Sequence, residues 1–308
     1  MRAFMFRLAL ALVVVSLVLT GAAFALGAVS PTDEIAFDAP SENGRDLFLL
    51  DAGRGQFVRL THGGGRSAAW SPDGEQLAYI GPTDEAGGEG LYILRPGSTP
   101  RLLRPVTVLG MPRALDWSPA GDALVFTDSV DGAQGVFTLD LAAGTVRRLT
   151  EPRGHTFAPT WSPGGLIAFS WSPVANAEVY TLPASQFTLI DSHSTVPRPQ
   201  RITDSMYTDS SADWSPDGRW LAFVSDREGS SNIYRMRPDG SELEALRITP
   251  AYEGDPSWTP DGERLAIVSN ATGEAQLAVW TADGATSMTL PAYPGGHVAR
   301  PAWRPPTP

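Results

Sequence analysis

The chain has 308 residues, 42% of them hydrophobic, with 31 Gly and 27 Pro, a composition typical of a folded, turn-rich protein. It has no cysteine, which excludes disulfides and thiolate metal ligands, and all 23 basic residues are arginine, which excludes a Walker or Schiff-base lysine. The net charge of −11 argues against nucleic-acid binding, which needs a basic surface.

Residues 1–30 predict export. Arg2 and Arg7 precede an apolar run at 8–29, which fits either a signal peptide cleaved after the small-x-small word at 23–25 or an uncleaved membrane anchor just long enough to span a bilayer. Both interpretations carry residues 31–308 across a membrane. We therefore expect an extracytoplasmic protein, in the periplasm or at the cell surface, either secreted or tethered through residues 8–29.

The rest of the chain is an internal repeat. Tryptophans that end a short strand recur at spacings of 47, 44, 53, 44 and 45 residues: Trp70, Trp117, Trp161, Trp214, Trp258 and Trp303. The first five are followed by a WSPDG-like turn and then an apolar strand, such as LAF at 221–223. A third strand and a fourth that ends in an "RLT" word complete each unit. Four short strands in about 45 residues predict one blade of a β-propeller.

The two ends of the chain predict how the ring closes. Residues 35–61 supply strands two, three and four of a blade without a preceding WSPDG turn, and residues 297–303 supply an innermost strand with no blade after it. Joined, they complete a sixth blade and leave no unpaired sheet edge. We expect an all-β, six-bladed propeller of four-stranded blades, closed by pairing the N- and C-terminal segments.

The WSPDG word itself predicts a turn, not a chemical site. Proline presets φ at the second turn position, serine accepts a backbone hydrogen bond and glycine tolerates positive φ. The tryptophan offers a large apolar face to pack between sheets.

These words, WSPDG followed by LAFVSD at 221–226 and NIY at 232–234, resemble the TolB-type, WD40-like β-propeller repeat family. The resemblance covers the chain from about residue 32 onward. It implies a propeller exported to the periplasm or cell surface that acts through contact with other proteins. The sequence has no Gly-x-Ser-x-Gly nucleophile elbow, which argues against the peptidases that carry similar repeats.

Residues shortly before each tryptophan enter the innermost strand at one mouth of the central channel, where we expect a partner-binding site. The candidates combine cationic, acidic and aromatic side chains: Arg66, Arg113, His155, Tyr252, Asp255, His297 and Arg300. The three arginines suggest a site for an anion or an acidic peptide.

We expect no cofactor and no metal. His155 and His297 belong to blades on opposite sides of a six-membered ring, too far apart to share one ion. The aspartates Asp204, Asp209 and Asp213 leave Ca²⁺ as a minor alternative, although their spacing is not that of an EF-hand. The extra residues of the longest repeat fall at 183–200 and predict a surface loop.

The favoured function is therefore a non-catalytic, exported propeller that binds a protein or peptide partner in the cell envelope. The alternative is a propeller enzyme, a polysaccharide lyase or glycosidase acting at the channel mouth through His155, Tyr252 and the arginines.

Overall fold

A computed structural model describes residues 33–42, 44–107, 115–130, 132–151, 154–173, 176–184 and 198–307. This part of the chain contains no helix long and apolar enough to cross a membrane. The predicted export segment, residues 1–30, and most of the predicted loop at 183–200 lie outside the described residues.

The described residues form six antiparallel sheets of four strands, one per repeat. The blade that joins the two ends of the chain is called the closing blade, and the other five are numbered 1 to 5 in chain order. The closing blade holds β1 (Glu34–Ser41), β2 (Gly44–Asp51), β3 (Gln56–Arg59) and, from the other end of the chain, β24 (Ala299–Trp303). Blade 1 holds β4 (Arg66–Trp70), β5 (Leu77–Pro82), β6 (Glu89–Leu94) and β7 (Arg101–Val106).

The remaining four blades follow in chain order. Blade 2 holds β8 (Leu115–Trp117), β9 (Ala123–Val130), β10 (Ala133–Asp140) and β11 (Val146–Arg148). Blade 3 holds β12 (His155–Trp161), β13 (Leu166–Ser172), β14 (Glu178–Pro183) and β15 (Gln200–Arg201). Blade 4 holds β16 (Asp209–Trp214), β17 (Leu221–Ser225), β18 (Asn232–Met236) and β19 (Glu244–Arg247). Blade 5 holds β20 (Glu253–Trp258), β21 (Arg264–Ser269), β22 (Gln276–Thr281) and β23 (Ser287–Thr289).

The closing blade confirms the predicted ring closure. β24 pairs with β1 in antiparallel register, with Trp303 opposite Ile35 and Ala302 opposite Ala36. The six-bladed, all-β architecture predicted from the repeat is therefore the observed fold.

The hydrophobic core lies between blades. Each apolar cluster joins residues of two neighbouring sheets; in one of them Trp117 of blade 2 packs with Ala69, Ala78 and Ile80 of blade 1. The indole Nε1 of Trp117 also donates to the carbonyl oxygen of Ala69 at 3.0 Å. The repeated tryptophan thus acts as a wedge between one innermost strand and the next.

The WSPDG turn satisfies its own polar groups. In blade 1 the amide of Gly74 donates to the carbonyl of Ser71 at 2.8 Å, and Gly74 has φ of 68°. The Ser71 hydroxyl accepts from the Gln76 amide and donates to Asp73 Oδ1. The hydrogen bond from Ser71 and that from the Glu75 amide lower the pKa of Asp73. The side chains of Ser71 and Asp73 thus have partners within the turn, as expected for a structural joint, whereas the indole Nε1 of Trp70 is buried without a hydrogen-bond partner among the described residues.

The RLT words also have a structural role. Their threonine hydroxyls accept from the backbone of the third strand, and their arginine Nε atoms donate to the carbonyl of the same threonine. These threonines are Thr61, Thr150 and Thr203. Each word ties the end of a fourth strand to its blade just before the chain crosses to the next one.

Candidate binding face at the channel mouth

The direction of the innermost strands defines two faces of the ring. We call mouth face the end at which β4, β8, β12, β16, β20 and β24 begin, and turn face the end at which they reach their tryptophans and WSPDG-like turns. The crossovers between blades and the hairpins between second and third strands lie on the mouth face. The described residues that were predicted as a partner site lie near this face, because they precede their tryptophans.

A bulge interrupts five innermost strands, β4, β12, β16, β20 and β24, three residues before their tryptophans. Non-glycine residues with φ near 50° occupy this position: Ser67, Ala158, Ser211, Asp255 and Arg300. The register of each strand shifts there. Such a conformation costs on the order of 1–2 kcal/mol.

At these bulges some backbone amides no longer pair with the neighbouring strand, and side-chain oxygens accept their hydrogen bonds instead. The amide of Ser211 donates to Ser170 Oγ at 3.0 Å, and that of Arg300 to Asp255 Oδ2 at 3.1 Å. Asp255 and Arg300 were both predicted as site residues, and this hydrogen bond joins neighbouring blades at the mouth.

Asp38 of β1 is the centre of a buried cluster at the seam and was not predicted. It is fully buried; Arg45 Nε donates to its Oδ2 at 2.5 Å, and Arg300 Nη1 donates to its Oδ1 at 3.2 Å. The amide of Ser67 also donates to Oδ1. Burial raises the pKa of Asp38, and the guanidiniums of Arg300 and Arg45 oppose that increase. The seam is thus held by charge as well as by strand pairing.

The arginines predicted to receive an anion are engaged by the chain's own carboxylates. Arg66 Nη2 lies 2.7 and 2.8 Å from the two carboxylate oxygens of Glu89. Arg300 pairs with Asp38, as described above, and Arg113 lies outside the described residues. An incoming acidic group would therefore have to compete with Glu89 or Asp38.

Tyr252 is one of the exposed residues among the predicted candidates. It is 45% exposed, and a Cβ atom at Gly254 would approach its phenol oxygen to 2.4 Å, so a larger residue there would require the ring of Tyr252 to move. Burial of the ring and the nearby charge of Asp255 raise the pKa of Tyr252 to about 12, while Arg300 opposes the rise. Tyr252, Asp255 and Arg300 thus form one electrostatic group.

The two histidines lie apart from each other. His297, exposed and with φ of 50°, belongs to the seam, where its carbonyl oxygen accepts from Arg45 Nη2 at 2.9 Å. His155, also exposed, lies 3.0 Å through Nδ1 from Gln134 Oε1 of blade 2. Their contacts do not bring them together.

The three aspartates considered for Ca²⁺ have separate partners. Asp204 pairs with Arg201, Asp209 is bound by Arg227, and Asp213 Oδ2 accepts from the Trp258 amide at 2.8 Å. Within the described ranges, no group of three or more His, Asp or Glu residues could hold a metal ion.

The mouth face also carries an apolar group of four residues, of which sequence reasoning predicted only Tyr252. Met206 is 83% exposed and Tyr207 41% exposed, on the crossover from blade 3 to blade 4. Ile248 and Tyr252 are exposed at the start and end of the next crossover, from blade 4 to blade 5. We call these four residues the mouth patch. Only their exposure distinguishes them, and an amino-acid pattern does not report it.

The turn face has a cleft at the seam, of about 730 Å³, lined in part by the C-terminal residues Arg304, Pro305 and Pro306. Its cations are satisfied internally: Arg304 Nη1 lies 2.5 Å from Glu34 Oε2, and Arg264 Nη1 lies 3.1 Å from Asp33 Oδ2. Arg304 Nε also donates to the Gly74 carbonyl. The cleft therefore contains contacts that hold the C-terminal segment against the first residues of the closing blade and against blade 1.

Comparison with known proteins agrees with the propeller fold described above. PD40, the TolB beta propeller domain, matches residues 116–307. TolB from Acinetobacter baumannii superposes with a TM-score of 0.74 at 21% sequence identity, over 89% of this chain and 67% of that one.

Two further similarities concern an enzyme structure and a short stretch of sequence. An oligogalacturonate lyase in complex with manganese superposes with a TM-score of 0.58 at 18% identity, over 83% of this chain and 73% of the enzyme. The uncharacterized protein Atu1656 of Agrobacterium fabrum is 46% identical over 55 residues, which is 18% of either protein. The propeller fold is thus shared with proteins that include enzymes.

Proposed function

Because the chain belongs to the TolB beta propeller domain family, we propose that it is a non-catalytic, exported propeller whose mouth face binds a protein or peptide partner in the cell envelope. The apolar run at 8–29 and the likeness to TolB support export. The family resemblance supports action through protein contact.

The mouth patch is the observation that carries this proposal. Four large apolar side chains, Met206, Tyr207, Ile248 and Tyr252, are exposed on two successive crossovers that flank blade 4. Exposed apolar groups with a polar rim are typical of interaction sites, and tyrosine and methionine are enriched in them. The mouth-face arginines Arg66 and Arg300 are paired within the chain, whereas the four apolar side chains are open to a partner.

Site-specific photo-cross-linking in cells tests the proposal. A photoreactive residue placed at Met206 or Tyr252 should give a discrete adduct, and one placed at Asp217, on the turn face of the same blade, should not. Replacing Met206 and Tyr252 together by serine should reduce adduct formation from Tyr207 without changing the melting temperature.

Equal adducts from both faces, or none from the mouth face, would overturn the proposal. So would turnover of an acidic glycan by the purified chain, assayed with and without divalent metal, since the alternative is a lyase or glycosidase. Fractionation answers the separate question of the tether: a soluble mature chain that starts near Leu26 indicates a signal peptide, and a membrane-bound intact chain indicates an anchor.

A further inference from the structure

Blade 4 contains a buried ion pair close to the mouth face. Asp209, the first residue of β16, is fully buried, and Arg227 Nη2 lies 3.0 Å from each of its carboxylate oxygens. Arg227 Nε donates to Ser225 Oγ at 2.9 Å. The guanidinium also lies over the rings of Tyr234 and Phe223. The acid therefore has a complete internal counter-ion.

Blade 5 repeats the acid without the arginine. Glu253, the first residue of β20, is 1% exposed and pairs with Ser269, just as Asp209 pairs with Ser225. The position of Arg227 is taken by Ala271, in a turn that is closed in the same way in both blades, by Gly229 onto Asp226 and by Gly273 onto Asn270.

The carboxylate of Glu253 is only half satisfied. Its Oε1 accepts from the Thr249 hydroxyl at 3.0 Å, whereas Oε2 is buried and meets no hydrogen-bond donor among the described residues. The cation that acts on it electrostatically, Arg247, directs its Nη1 to Ser287 instead. Burial raises the pKa of Glu253. The Thr249 hydroxyl, the charge of Arg247 and the neighbouring Ser269 hydroxyl, which is not in hydrogen-bond geometry with Oε2, oppose the rise. A buried acceptor left in this way is costly unless a partner satisfies it.

The surroundings favour a cationic group. Glu228 and Glu274 are exposed on the mouth-face hairpins of blades 4 and 5, and Tyr252 of the mouth patch directly precedes Glu253. Elsewhere in the described innermost strands, the position of Glu253 holds Gly65, Thr156 or Val298, so this arrangement is specific to blade 5.

We infer that Glu253, together with Ser269, receives an arginine side chain of the partner, in the way that Asp209 and Ser225 receive Arg227 within the chain. The inference rests on the proposed binding at the mouth face and adds the chemistry of the bound segment. A guanidinium fits this pair of acceptors, because one carboxylate and one hydroxyl serve Arg227 in the same positions. The rings under Arg227 are replaced by Ala278 and Ile267, so the stacking contribution is absent in blade 5.

The test measures binding of a minimal probe by the full chain. Nα-acetyl-arginine amide, titrated into labelled protein, should shift the amide NMR signals of Glu253, Ser269 and Ala271, and the neutral isostere Nα-acetyl-citrulline amide should not. Glu253→Gln and Ala271→Arg should each weaken binding about tenfold or more, because a charge-assisted hydrogen bond is lost or the acceptors are occupied internally.

Val130→Arg is the matched control. Val130 holds the position of Arg227 in blade 2, is 42% exposed, and gains the same charge as Ala271→Arg, so this variant should bind the probe like the wild type. Equal binding of citrulline amide, unchanged binding by Glu253→Gln, or no binding by the wild type would overturn the inference. Cross-linking from Met206 and Tyr252 does not depend on Glu253, so an intact cross-link with no probe binding would refute the inference and leave the proposed function standing.

Discussion

Installing an arginine in blade 5 should stabilise the protein. Ala271→Arg places a guanidinium where Arg227 lies in blade 4, opposite the half-satisfied carboxylate of Glu253. The variant gives blade 5 the acid–arginine pair that blade 4 already has. It therefore tests whether the missing arginine in blade 5 lowers the free energy of unfolding.

The expected gain follows from two opposing contributions. An unsatisfied buried acceptor costs about 1–3 kcal/mol, and ordering an arginine side chain costs up to about 2 kcal/mol. We expect a net gain of about 1 kcal/mol, or about 2–4 °C in melting temperature for a domain of this size. The reverse change, Arg227→Ala, leaves the fully buried Asp209 without its cation and should cost about 3 kcal/mol.

The gain should depend on pH. Because burial raises the pKa of Glu253 above its ordinary 4.5, its contribution to stability is complete below that value and is lost as the pH rises through the folded-state pKa. The new guanidinium lowers that pKa and removes the loss. The gain of Ala271→Arg over the wild type should therefore be larger at about pH 8 than at about pH 4, where more of the wild-type carboxyl is protonated.

Urea denaturation followed by tryptophan fluorescence at both pH values provides the measurement, with Val130→Arg as the control for added charge. A gain that is the same at both pH values, or shared by Val130→Arg, would show that the arginine acts through general charge rather than through Glu253. A loss of stability at about pH 8 would refute the pairing itself.

Three further predictions concern the seam and the mouth. Arg304→Ala should lower the free energy of unfolding by about 2 kcal/mol, because it removes charge-assisted hydrogen bonds to Glu34 and to the Gly74 carbonyl. Arg54→Ala is the control, since Arg54 is 66% exposed and its loss should cost less than about 0.5 kcal/mol. Equal losses in urea denaturation would show that the contacts of Arg304 do not stabilise the ring. Alkaline absorbance titration should show a phenol of pKa about 12 that is missing in Tyr252→Phe, and a loss confined to the ordinary range near 10 would contradict the burial of that ring and its proximity to Asp255. Deleting residues 299–308 removes β24 and should lower the melting temperature sharply, and an unchanged melting curve would show that strand pairing at the seam does not stabilise the ring.

The strands and the seam could be predicted because local chemistry encodes them. A Ser-Pro-Asp-Gly turn satisfies itself within a few residues, and so does the threonine of an RLT word, whose partner lies in the adjacent strand of its own blade. Counting these words counts the blades. The resemblance to TolB-type repeats rests on the same words and is confirmed by the family match.

The charge pairing could not be predicted, because it depends on contacts between distant segments. Arg300 meets Asp38 across 262 residues of sequence, and only the seam brings them together. Asp38 also occupies the position that Val224 and Val268 hold in blades 4 and 5, so its place in the repeat predicts an apolar residue. The mouth arginines look available in the sequence because their partners do not follow the repeat.

The two faces of the ring differ in what the fold requires of them. At the turn face each blade needs the same wedge and turn, and the glycines of the turns have nearly the same φ, as in Gly74, Gly218 and Gly262. At the mouth face the fold requires only that the chain cross to the next blade, and equivalent positions differ in charge and size, as in Asp209 and Glu253. Variation at equivalent positions on one scaffold can create a site without disturbing the scaffold, since each blade contacts only its neighbours. The unlike residues of the mouth face, rather than its repeated ones, are therefore where binding specificity of this propeller is expected to lie.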